Sequence, residues 1–128
     1  MAHGPLRKLS AKGLVEIVPW HYGAEVAEER YDGAVGGQAG FFRAARLARS
    51  GLAVVALAAA NADGSTSRIV PAVTGPVTTP QSDVDLVITE FGAADLRGTS
   101  YRERAERLIG VAAPQHRAAL AAELPPWL

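Results

Sequence analysis

The sequence predicts an α/β domain: a layered fold built on a mixed sheet. Three observations predict it. Apolar, strand-like runs stand at 14–18, 52–60 and 84–89. A glycine-rich loop at 33–40 leads into a helical pattern, and a capped helical region follows residue 100. The connection at 61–66 is too short for a crossover, so some neighbouring strands run antiparallel and the pairing is mixed.

Each element has a local reason. Residues 1–13 are polar, with scattered glycine and proline, and read as a loose arm. LVEIV, 14–18, is a short strand stopped by Pro19. Residues 20–32 are ambiguous, since AEVAEER also suits one or two helical turns. GAVGGQAG, 33–40, has four glycines in eight positions, so its backbone turns tightly or approaches something closely. Phe41, Ala44, Ala45 and Ala48 then recur at the spacing of one helical face, and Ser50-Gly51 stops the helix. The continuous apolar run 52–60 reads as a strand covered on both faces. Asn61 to Gly64 is turn chemistry, from which 67–73 returns as an antiparallel partner, and Gly75-Pro76 breaks the chain again.

VDLVIT, 84–89, is another buried strand. Ser100 and Glu103 have capping-box spacing. Tyr101, Ala105, Leu108, Ile109 and Ala112 line one helical face, with Glu103 and Arg107 as an i,i+4 pair outside it. Pro114 opens a last helix to about Leu124, and Pro125-Pro126 ends it.

Composition limits function. The 128 residues fit one domain and are enough to bury a core. Thirteen basic and thirteen acidic residues leave no net charge, so no nucleic-acid partner is expected. Twenty-five alanines point to a close-packed core rather than an aromatic one. The absence of cysteine excludes disulfides and thiolate catalysis. No apolar run reaches a membrane span and no secretory signal is visible, so a soluble, cytoplasmic protein with no membrane partner is expected.

Two places could carry chemistry. Gly36, Gly37 and Gln38 precede a helix, where free amides hold a phosphate or an oxyanion; the alternative is a tight turn with no ligand. Glu90 follows a buried strand, with Asp95 and Arg97 in what reads as the same loop. It is either a base, nucleophile or orienting group, or a structural carboxylate paired with Arg97 or Arg68. His3, His21 and His116 are isolated, so no metal site is expected. Asp83 and Asp85 read as flanking a strand, and the arginines of 43–49 and 102–107 as solvated helix faces.

Taken together, GGQAGFFR (36–43), SRIVP (67–71), VTTPQ (77–81), DVDLVITEFGAADLRG (83–98), RAERLI (104–109) and APQHR (113–117) resemble the C-terminal end of the acetyl-CoA hydrolase/transferase family. This family includes 4-hydroxybutyrate and succinyl:acetate CoA-transferases. The resemblance covers about residues 33–122. It implies an α/β fold of the CoA-transferase (NagB/RpiA-like) type, here truncated. Residues 33–128 form the matching region and 1–32 a poorly matched N-terminal segment. It also implies acyl-CoA handling: CoA transfer to a small carboxylic acid, or acetyl-CoA hydrolysis.

The CoA thioester is then a substrate, and no tightly bound cofactor is implied. In the family a glutamate upstream of the glycine motif attacks the thioester, and amides carried over to Gly36 and Gly37 hold the carbonyl oxygen. Glu90, Asp95 and Arg97 become structural. Four departures stand out: Ala34 replaces the motif's first glycine, Gly40 its aspartate and Gln81 its arginine, and there is no lysine near Ser65. No residue of 1–32 can be assigned as the nucleophile. The expectation is a partial domain completed by a homodimer or a partner chain; the alternative is an inactive remnant or a CoA-binding or interaction module.

Overall fold

The computed structural model describes residues 15–17, 23–27, 37–72 and 77–128. The expected N-terminal arm, Gly36, and the breaks at 33–36 and 75–76 lie outside the described residues. Elements run β1 (Val15–Ile17), β2 (Gly23–Ala27), α1 (Gln38–Leu47), β3 (Val54–Ala56), β4 (Val77–Pro80), a 3-10 turn (Gln81–Asp83), β5 (Leu86–Thr89), β6 (Gly92–Asp95), α2 (Tyr101–Gly110) and α3 (Pro114–Ala122). They form two three-stranded sheets, β1-β2-β4 and β3-β5-β6. The first is antiparallel. In the second, β3 runs parallel to β5, which pairs antiparallel with β6. Among the described residues β3 and β6 each pair on one side only.

Helices form where local chemistry demands them. The Ser100 hydroxyl accepts from Glu103 N, and the Glu103 carboxylate accepts from Ser100 N, so the expected capping box starts α2. Pro114 stands at the first position of α3. Ala105, Leu108 and Ala112 turn inward with Ile109 packed beside them, while Tyr101 stays half-exposed. Arg107 bonds the Asp95 carbonyl, and its charge also favours the ionised Glu103 one turn away. Leu108, Val55, Val87, Ile69, Leu96 and Leu120 are at the centre of the core, with Phe42 its one aromatic among the described residues. Ala59, Ala60 and Ala113 pack closely where the β3 extension meets the start of α3. Such contacts need methyl-sized side chains.

Four expectations are corrected. Residues 23–27 are a strand, because pairing with both β1 and β4 outweighs the helical propensity of AEVAEER. The inward residue of α1 is Phe42; Phe41 is 72% exposed, because α1 packs on β4 and the 3-10 turn with the face that carries Phe42, Arg43 and Arg46. Run 52–60 is covered on one face only: Ala53, Val55, Leu57 and Ala59 are buried, while Leu52, Ala56 and Ala58 are exposed. The opposite face of the sheet therefore shows Ala56, Ile88 and Ala93 in register to solvent. Finally, 67–72 returns antiparallel only as a bridge, Ala60 to Ser67, closed by Asn61 N to Thr66 O at 2.9 Å.

Candidate functional site

The parallel β3–β5 pair gives the second sheet two distinct ends. At its C-terminal end Glu90 follows β5, and its Oε2 accepts from Ala59 N at 2.9 Å, tying the two strand extensions together. The neighbouring Thr89 is buried. Its Oγ1 donates to Val111 O at 2.6 Å and accepts from Phe91 N, locking this end to the close of α2. Beyond it, the turn after Asn61 is held from α3: Gln115 Nε2 donates to Gly64 O, and His116 Nε2 bonds the same oxygen at 2.9 Å.

Gly37 is the N-cap of α1. As a glycine it has no side chain with which to cap the helix. Gln38 Nε2 donates to Thr79 Oγ1 at 2.7 Å, and Thr79 is fully buried in β4. That bond anchors the helix start to the first sheet. A Cβ on Gly37 would stand 3.2 Å from the Phe41 ring, so a side chain there would press on it.

The structure does not bring Glu90, Asp95 and Arg97 together. Strand β6 intervenes and returns the chain: Thr89 faces Gly92 and Leu86 faces Asp95. Asp95 thus lies at the N-terminal end of β5, about 13 Å along the strand from Glu90 at the usual rise per residue. Arg97 grips Asp95 with Nε and Nη2 at 2.9 and 2.6 Å, a two-pronged ion pair. This bonding holds the Asp95 carboxyl down at about 2, from an ordinary 3.8.

A pKa depressed in the folded chain contributes stability above the unfolded value, and that contribution is lost as pH falls through the folded one. The Asp95 carboxyl carbon is therefore expected to titrate by NMR near 2, and to move up towards the ordinary 3.8 in Arg97→Ala, where the residue-97 backbone N–H and Arg107 still favour the charged form. An unchanged midpoint in the variant would show that Arg97 does not set it.

The same N-terminal end holds residues that the sequence reading placed on solvated faces or strand flanks. Asp85 is buried; its Oδ2 accepts from Ala53 N at 2.9 Å, joining the starts of β3 and β5. Arg46 reaches Asp85 at 3.5 Å and also bonds the Ser82 carbonyl, while Arg43 pairs with Asp83 at 2.9 Å. Arg104 is only 7% exposed, and burial pushes its guanidinium down to about 10. A signal for Arg104 was present: it precedes Leu108 by four residues and so shares the inward stripe of α2.

The two-sheet arrangement is that of a layered α/β domain of the CoA-transferase type. The solved 4-hydroxybutyrate CoA-transferase from Porphyromonas gingivalis matches 84% of this chain at TM-score 0.68 and 34% identity, with 24% of that chain covered. Residues 21–124 match the acetyl-CoA hydrolase/transferase C-terminal domain, and the chain belongs to that family. It is 44% identical over 88 residues to a 4-hydroxybutyrate coenzyme A transferase from Clostridium kluyveri, covering 67% of this chain and 20% of that protein. It is 43% identical over 93 residues to a succinyl-CoA:cyclohexane-1-carboxylate CoA transferase from Geobacter metallireducens, covering 71% and 21%. The chain thus spans about a fifth of the length of these relatives. No helix among the described residues is long and apolar enough to cross a membrane.

Proposed function

We propose that the chain handles acyl-CoA thioesters, through CoA transfer to a small carboxylic acid or acetyl-CoA hydrolysis, as a partial domain that depends on a partner chain. Residues 33–128 form the acting unit in this reading. The amides of Gly36 and Gly37 hold the reacting carbonyl oxygen, with Gln38 beside them, and the nucleophilic glutamate comes from outside this unit. Glu90 orders the strand ends through Ala59.

One observation carries the reading. The helix after the glycine motif starts on Gly37, at a position fixed by the bond from Gln38 to buried Thr79. Amides held in place at a helix start suit a developing oxyanion because they need no reorganisation as charge forms. Dependence on a partner is supported by the outer apolar row of Ala56, Ile88 and Ala93. The short coverage of the relatives supports it too.

The test follows free CoA from acetyl-CoA with acetate or water, for the chain alone and mixed with a polypeptide carrying the remainder of a family member. Turnover only in the mixture, with a glutamyl-CoA adduct found by mass spectrometry on the added polypeptide, is the expected result. No turnover in either arm would replace this reading with an inactive or interaction module.

A further inference from the structure

A cavity of about 440 Å³ opens at the N-terminal end of the β3–β5 pair, the end opposite Glu90. Its polar lining includes Arg46, Gln81, Asp85, Arg97, Ser100 and Arg104. The size suits a small molecule. Most of the charge around it is already matched: Arg43 and Arg46 face Asp83 and Asp85, and Arg97 holds Asp95. Arg104 is the exception. Its Nε and Nη2 are buried with no protein partner, and the buried Gln81 Oε1 in the same lining also has none. Buried polar atoms are ordinarily hydrogen-bonded, and an unmatched guanidinium is among the costliest exceptions.

Nε and Nη2 share one edge of the guanidinium, the same edge with which Arg97 grips the Asp95 carboxylate. After the ion pairs are matched, one positive charge is left over, which fits a singly charged ligand better than a phosphate dianion. We propose that this cavity binds a small monocarboxylate, gripped two-pronged by Arg104. Both nitrogens are shielded from solvent, so the guanidinium turns about its outer torsions towards the cavity as the ligand enters. The site is separate from the glycine-motif helix start and stands or falls independently of the acyl-transfer reading.

Acetate is the probe, titrated into the chain against sodium chloride at equal ionic strength, with the Arg104 Nε–H resonance followed by ¹H–¹⁵N NMR. The expected result is a saturable shift of that resonance and of backbone amides in 81–85 and 96–104, in the millimolar range. Inorganic phosphate should bind at least about fivefold more weakly. Arg104→Gln should abolish the saturable response, with Arg117→Gln as a control that leaves it intact. The wild-type Nε–H readout needs no variant to fold. No acetate-specific shift up to 100 mM, or an equal response to chloride, would overturn the site; tighter binding of phosphate would overturn its assignment to a carboxylate.

Discussion

Leu108→Ala is expected to destabilise the domain by about 2–5 kcal/mol. Leu108 has no exposed surface and stands at the centre of a cluster drawn from β3, β5, α1, α2 and α3. Truncation removes its transfer free energy and leaves a cavity that the surrounding strands and helices fill only in part. Against a total of about 5–15 kcal/mol for a typical domain, that loss is a large share. Leu47→Ala is the matched control. Leu47 is also a helical leucine but is 89% exposed, and its loss should stay within about 0.5 kcal/mol. Urea midpoints with unchanged slopes check both; comparable losses would mean that the packing assigned to Leu108 is wrong.

Gly51→Ala is expected to cost about 3 kcal/mol or more, through backbone rather than core. An added Cβ would stand 1.8 Å from the Ala45 carbonyl oxygen and 2.6 Å from its carbon. Neither is a flexible tip that can rotate aside, so the end of α1 or the entry to β3 must shift. Gly40 tests the opposite sign. It lies in the first turns of α1 with nothing within 4 Å of an added Cβ, so Gly40→Ala should stabilise by about 0.5–1 kcal/mol. Thermal melts of the two variants should move in opposite directions, and a neutral Gly51→Ala would refute the close approach.

Legibility in the sequence followed the range of the interaction. The capping box at Ser100, the proline start of α3 and the stop near Gly51 depend on residues a few positions apart, so the chain states them outright. What depended on distant partners was misread. Phe41 and Phe42 are adjacent, and only the position of β4 and the 3-10 turn decides which faces inward. LAVVALAAA has no polar residue to mark its open side, so a one-sided strand looked two-sided. Glu90, Asp95 and Arg97 looked like one loop because GAAD gives little strand signal; its pairing with β5 comes from the partner strand. The glycine motif was readable as a helix start, but its anchor on Thr79 lies 41 residues away and was not.

The brevity of β3 and β6 has a consequence for how this domain meets other chains. A strand with one unpaired row of N–H and C=O groups is a template for fibrillar growth. Here β3 offers three residues and β6 four, and β6 opens on Gly92 at φ 137 and closes on the charged pair of Asp95 and Arg97. A foreign strand would find too few consecutive positions to zip along. Association of this domain should therefore proceed through side chains, giving assemblies that dissociate on dilution rather than amyloid-like deposits.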